Sequence, residues 1–394
     1  MTTSGRPDAA SPGAFRTRAV HAGREDLVDL GVHAVPIDLS TTYPSRDSRG
    51  EAERLDVLGT GAAVPGAPVY ARIGNPTVAR FEAALADLEG CAAGVAFASG
   101  MAALTACLLT AVAEGRPHVV AVRPLYGTSD HLLGSALLGT RVTWAAPHDV
   151  AAAIRPDTGL VVVETPANPT LAESGLDALA RACGDVPLLA DNTFATPVLQ
   201  RPAEHGARLV LHSATKFLGG HGDVLAGVVA CDEEYARRLR QVRFATGATL
   251  HPLSGYLLLR GLATLPLRIA AASATAAELA DRLAGHPGVT RVHYPGRAAG
   301  RPSGQMTGGG AVLSFETAGD PHGLIGAVRL ITPAVSLGSV DTLIQHPASL
   351  SHHIVDPADR AAGGIGDGLL RMSVGLEDVE DLWADLDGAL RAAG

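Results

Sequence analysis

Between residues 69 and 258, short β-rich apolar runs at 94–98, 118–122, 141–144, 160–163, 187–190, 208–211 and 224–230 alternate with helix-forming segments. That alternation admits one main solution, an α/β fold in which helices cover both faces of a parallel-rich sheet. After Arg260 the pattern changes to a long Ala/Leu-rich helical region. It is followed by strands at 289–293, 311–315 and 369–374 and a terminal helix from about Glu377, which together read as a smaller α+β domain. Residues 1–68 are irregular, with a charged stretch at 47–54 and a Gly/Pro/Ala stretch at 59–68. Such a segment builds no core of its own. The expected division is therefore an N-terminal arm over 1–68 that contacts a neighbouring subunit, a large domain over 69–258 and a small domain over 259–394.

The 394 residues are ample for two domains with a sizeable core. A balance of 31 basic and 40 acidic residues gives −9, which argues against a nucleic-acid footprint or attraction to anionic membranes. Cys91, Cys107, Cys183 and Cys231 show no C-x-x-C spacing and sit mostly in apolar contexts, so buried free thiols are expected rather than disulfides or zinc. A polar N-terminus without an apolar signal segment, and apolar runs interrupted short of a membrane span, point to a cytoplasmic protein. His346, His352 and His353 lack a ligand spacing with a supporting acid, so no metal is expected. The glycine-rich 363–368 does not complete a G-x-G-x-x-G and is expected to be a turn. No solenoid repeat is present.

The chemistry concentrates where strands end. Lys216 follows the apolar run 208–211 across a turn of small and hydroxyl residues. Partial desolvation there lowers the amine's pKa and makes it nucleophilic toward an aldehyde, the requirement for a Schiff base. Ser213 and Thr215 add hydroxyls suited to a phosphate. The alternative is an exposed lysine capping a strand. Asp191 ends the run 187–190 and suits a partner for a protonated ring nitrogen, or else a turn. A crossover of 25 residues, 216 − 191, separates the two, enough for neighbouring strands whose carboxyl ends open on one crevice. Ser99, Gly100 and Met101 begin a helix directly after a strand, so their free amides form an anion site or a plain cap. Tyr126 follows the run 118–122, placed to stack on a ring or to fill the core. Arg371, among apolar neighbours in 369–374, needs an anionic partner: a substrate carboxylate, or an acid such as Glu164 or Asp378.

The stretches 70–77 (Tyr-Ala-Arg-Ile-Gly-Asn-Pro-Thr), 98–103, 125–128, 164–169, 191–197, 209–223, 335–338 and 371–378 occur in the order in which the Cys/Met-metabolism enzymes that use pyridoxal phosphate carry them. Over nearly its whole length the chain resembles that family, with the methionine γ-lyase and cystathionine γ-synthase branches nearest. The resemblance implies a fold type I pyridoxal-phosphate transferase. Lys216 becomes the Schiff-base lysine and proton carrier, Asp191 the partner of the ring nitrogen, and Tyr126 a ring-stacking and proton-transferring group. Ser99, Gly100, Met101, Ser213 and Thr215 would hold the phosphate, joined across an interface by Tyr70 and Arg72. Arg371 would bind the substrate carboxylate with Ser336 and Asn168, the latter also near the cofactor. The family further implies a homotetramer built as a dimer of dimers.

The implied activity is γ-elimination from a sulfur-containing or otherwise γ-substituted amino acid. The alternative is γ-replacement of the synthase or sulfhydrylase kind, and a third reading is a non-catalytic cofactor-binding member. Presence of Lys216, Asp191, Tyr126 and Arg371 together argues for catalysis. Two departures from the methionine γ-lyase pattern, Thr128 in place of a cysteine and Arg243-Phe244 in place of a Lys-Asp pair, point away from strict methionine cleavage.

Overall fold

The computed structural model describes residues 13–63, 68–296 and 304–394; the first twelve residues of the arm and 64–67 of its Gly/Pro/Ala stretch lie outside this set. The large sheet contains β1 (Ala93–Phe97), β2 (His118–Val122), β3 (Arg141–Ala145), β4 (Thr158–Glu164), β5 (Leu188–Asp191), β6 (Leu209–His212) and β7 (Gly227–Cys231) in the order β1-β7-β6-β5-β4-β2-β3. β1, β2, β4, β6 and β7 are buried along their whole length. This is why they read as continuous apolar runs rather than alternating ones: helices cover both faces.

The sheet is parallel-rich as expected, and one strand runs against the rest. β7 pairs antiparallel with both β1 and β6. No helix lies between β6 and β7, and without a crossover the chain can only return antiparallel. That return is the loop carrying Lys216.

Local sequence sets the helix starts. Asn75 accepts hydrogen bonds from the amides of Thr77 and Val78 to open the helix Pro76–Glu89, which Gly90 ends in a left-handed conformation. The helix Pro252–Ala284 packs on it and runs on to the second sheet, so the expected division at 258/259 falls within one continuous element. By length and composition this helix is apolar enough to cross a membrane. Leu258, Leu262, Leu265, Ile269, Leu279 and Leu283 are instead buried in the protein core.

The second sheet has β8 (Val289–His293), β9 (Val312–Thr317), β10 (Thr332–Pro333), β11 (Leu343–Gln345) and β12 (Leu369–Ser373) in the order β10-β11-β12-β9-β8, antiparallel except for β10 with β11. Alternation along β12 sends Leu370 and Met372 into a core shared with Leu313, Phe315, Leu382 and Leu386. Arg371 therefore projects from the opposite face. Cys107, Cys183 and Cys231 are buried and Cys91 half-buried, all as free thiols.

Candidate active site

The carboxyl ends of β1, β2, β4, β5 and β6 open on one crevice, the expected ligand position in an open α/β sheet. Ser99, Gly100, Met101, Tyr126, Asn168, Asp191, Ser213, Thr215, Lys216, Ser336 and Arg371 all line it. Glu164, Thr193, Phe194, Val335 and Ser351 join them.

Ser99 caps the helix Gly100–Ala113, its Oγ accepting from the Ala102 amide at 3.1 Å. The cap leaves the amides of Gly100 and Met101 at the positive end of the helix dipole, facing the crevice. A Cβ on Gly100 would stand 2.9 Å from Cβ of Ser213, so only glycine lets the helix start approach the Lys216 loop this closely. Thr215 Oγ1 is engaged within its own loop, donating to the Ala226 carbonyl at 3.2 Å and accepting from the Ala226 amide at 2.9 Å. Its hydroxyl proton is thus committed to the protein, while the Ser213 hydroxyl faces the crevice.

Lys216 Nζ donates to Ser336 Oγ at 2.7 Å. Burial, reinforced by the positive charge of Arg371, pulls its pKa down to about 8. The Ser336 carbonyl accepts from Arg371 Nη2 at 2.7 Å, and Ser336 holds φ +139, a conformation in which few side-chain-bearing residues rest. A Cβ on Gly338, itself at φ +82, would come 2.5 Å from the Phe217 amide nitrogen. Glycine here lets the small-sheet loop reach Lys216.

Asp191 ends β5 beside Glu164 at the end of β4. Thr193 donates to Asp191 Oδ1 twice, from its amide at 3.0 Å and its hydroxyl at 2.5 Å. Burial nevertheless pushes the Asp191 carboxyl up. A buried acid of this kind is completed by a cation in the crevice, as a protonated ring nitrogen would be. Glu164 is pushed up as well, by burial and by Asp191, although the amides of Tyr126 and Asn168 donate to it at 2.9 and 2.6 Å. Its place here is structural as much as electrostatic: it ties two crevice loops to the end of β4.

Arg371 Nη1 donates to Asn168 Oδ1 at 2.8 Å. With its amide oxygen turned toward Arg371, Gln345 accepts from Nη1 at 3.1 Å and Nη2 at 2.7 Å. These acceptors are neutral. Burial pulls Arg371 down only to about 10, so it is a buried cation at neutral pH held in place without a directly bonded carboxylate among them, and a substrate carboxylate supplies one.

Tyr70 and Arg72 lie apart from this crevice within the chain. Arg72 donates to the Phe244 carbonyl at 2.9 Å and stands over the Tyr70 and Phe244 rings at 5.5 and 5.1 Å. Arg243, one of the two departures from the Lys-Asp pair, is buried, paired with Glu82 and bonded to the Ala96 carbonyl. Neither Thr128, Arg243 nor Phe244 lines the crevice. Sequence reasoning did not find Ser351 as a crevice group or Gln345 as a buried partner of Arg371. Gln345 stands opposite Arg371 through the β11–β12 register, and no linear motif carries that information.

The family model for Cys/Met metabolism PLP-dependent enzymes matches residues 16–391. A relative named L-methionine gamma-lyase from Streptomyces avermitilis is 71% identical over 96% of this chain and 89% of its own length. Another of that name from Brevibacterium sandarakinum is 55% identical over 96% and 97%. Among solved structures, cystathionine gamma-lyase from Lactobacillus plantarum superposes with a TM-score of 0.88 at 33% identity, covering 97% of this chain and 99% of that one. Cystathionine gamma synthase from Xanthomonas oryzae pv. oryzae gives 0.87 at 36%, with coverage of 97% and 99%. Fold, crevice and sequence agree: the chain belongs to the family of Cys/Met metabolism enzymes that depend on pyridoxal 5′-phosphate.

Proposed function

We propose that this enzyme performs γ-elimination on methionine, releasing methanethiol, 2-oxobutanoate and ammonia with uptake of one water. The observation that carries the substrate is the 71% identity to a relative named L-methionine gamma-lyase across nearly the whole chain. Of the departures that pointed away from strict methionine cleavage, Thr128 loses weight because it lies outside the crevice and Arg243 because it is buried against Glu82; Phe244 packs on Arg72 and so goes with the pair given to a second copy of the chain. γ-Replacement stands as the second reading, supported by the likeness to cystathionine gamma synthase.

In this reading the Gly100 and Met101 amides and the Ser213 hydroxyl bind the cofactor phosphate, and Asp191 holds a proton on the ring nitrogen. Ser99 and Thr215 shape that cradle, and Tyr70 and Arg72 complete it from a second copy of the chain. Bound there, pyridoxal phosphate supplies the electron sink for charge developing on the substrate carbons. Arg371 grips the α-carboxylate, with Asn168 and Ser336 fixing its fork. That orientation sets the Cα hydrogen toward Lys216 Nζ, whose lowered pKa leaves much of it as free base near pH 8. Ser336 Oγ accepts from Nζ and aims its lone pair; Tyr126 stacks on the ring and gives a proton to the departing sulfur. The division into an arm (1–68), a cofactor-binding domain (69–258) and a small domain (259–394), a homotetramer of dimers and a cytoplasmic location belong to the same proposal.

Incubation of the holoenzyme with methionine, homocysteine and an O-acylhomoserine, with and without added thiol, tests it by mass spectrometry. Formation of 2-oxobutanoate from methionine without thiol is expected. A thioether product formed from the ester and thiol, with methionine untouched, would favour replacement. No cleavage of any γ-bond would refute both.

A further inference from the structure

Tyr126 has a catalytic assignment but its side chain lacks a hydrogen-bond anchor among the described residues. The residue is 36% exposed, and so the position of its ring depends on the backbone that carries it. That backbone is held from two sides. The Tyr126 amide donates to Glu164 Oε2 at 2.9 Å. On the other side, the carbonyl of Leu125 faces Nε2 of His352 at 3.1 Å. His352 is buried just beyond the turn Pro347–Ser349, and its Nδ1 lies 3.0 Å from the Ser351 hydroxyl. A Cβ on Gly127 would collide with the Ser351 carbonyl, so this segment and the Tyr126 loop meet backbone to backbone.

The protonation pattern follows from the partners. A carbonyl oxygen can only accept, so Nε2 must carry a hydrogen. Burial and the charges of Arg371 and Arg360 hold the imidazole pKa near 4, against the raising effect of its bonds to Leu125 and Asn168. At neutral pH the ring therefore has one N–H, and Nδ1 is an acceptor for the Ser351 hydroxyl. Ser351 Oγ also stands 3.1 Å from the Gln345 amide oxygen turned toward Arg371, but its one proton is committed to Nδ1, so that approach carries no hydrogen bond.

We propose that His352, as its neutral Nε2–H tautomer, is the positioning residue for Tyr126: it fixes the Leu125 carbonyl and thereby the placement of the tyrosine ring. The inference rests on the role given to Tyr126 above. Substituting His352→Gln keeps a donor at the Nε2 reach, whereas His352→Asn keeps one only at the Nδ1 reach. We expect the glutamine variant to retain kcat within about threefold and the asparagine variant to lose about tenfold or more, with KM changed less than kcat. Combined with Tyr126→Phe, which removes the hydroxyl but keeps the ring, His352→Asn should cost less than it does alone. Nitrogen-15 NMR of the histidine rings of the unsubstituted protein reads the tautomer directly and requires neither a folded variant nor turnover. A proton on Nδ1, equal behaviour of the two variants, or losses that multiply with Tyr126→Phe would each overturn the proposal. An intact wild-type tautomer signal with no γ-bond cleavage would instead count against the reaction assigned above.

Discussion

At the residue scale, the pKa of Lys216 gives a quantitative handle. The amine is pulled from 10.5 to about 8 by burial and by Arg371, so its free-base fraction rises steeply as pH passes 8. Apo-protein should therefore capture pyridoxal phosphate as a borohydride-reducible adduct faster with rising pH, levelling above about 9. Peptide mapping should find the label on Lys216, and Lys216→Ala should abolish it; a label on another lysine, or a rate flat from pH 7 to 9, would sink the assignment. The same shift has a thermodynamic consequence for the apo-protein. Between pH 8 and 10.5 the unfolded chain holds more protons at this site than the folded one, so its contribution to stability rises with pH across that window and is lowest below it. Asp191 was legible in the sequence because it directly ends an apolar run, and Lys216 because it follows one across a short turn of small and hydroxyl residues. Gln345, Ser351 and His352 were not, because what places them is the pairing of β11 with β12 and the docking of one loop on another, which leave no local pattern.

Strand positions were legible at the element scale because burial on both faces writes an unbroken apolar run. Strand direction was not: the run at 224–230 looks like its parallel neighbours, and only the missing crossover helix reverses β7. The helix Pro252–Ala284 shows a second kind of hidden information. Its Arg268 is buried and donates to the Phe217 carbonyl at 2.8 Å and the Gly261 carbonyl at 2.7 Å, so a helix far along the chain clamps the residue next to Lys216. Burial pulls this arginine down to about 10, still charged at neutral pH. Replacing it by methionine keeps much of the packing but leaves the Phe217 carbonyl without its donor, at a cost of about 1–3 kcal/mol, whereas the Gly261 carbonyl still accepts from the Thr264 hydroxyl at 3.3 Å. Arg268→Met should lower the urea midpoint of the apo-protein and slow adduct formation at Lys216. An unchanged midpoint would show that water or a relaxed loop satisfies the Phe217 carbonyl.

For the whole molecule, the arm and the pair Tyr70/Arg72 belong to one question. Val28 is 90% exposed and Leu39 63% exposed, with Leu30 and Val32 also open on the same arm, an apolar surface out of keeping with an isolated chain. Arg72 meanwhile stacks with Tyr70 and Phe244 away from the crevice of its own chain. Both observations fit a dimer in which each arm covers its neighbour and each Arg72 serves the other site. If so, Arg72→Ala and Lys216→Ala chains are each inactive alone, for different reasons. In a hybrid dimer one site receives Arg72 from one chain and Lys216 from the other, both intact, while the second site lacks both. Random reassortment makes half of the dimers hybrid, so activity should return to about a quarter of the wild-type value per site. Mixing after mild dissociation, with sedimentation and assay on the same sample, measures this. Recovery near zero despite hybrid formation would place Arg72 in the service of its own chain, and full activity in a sedimenting monomer would remove the shared site altogether.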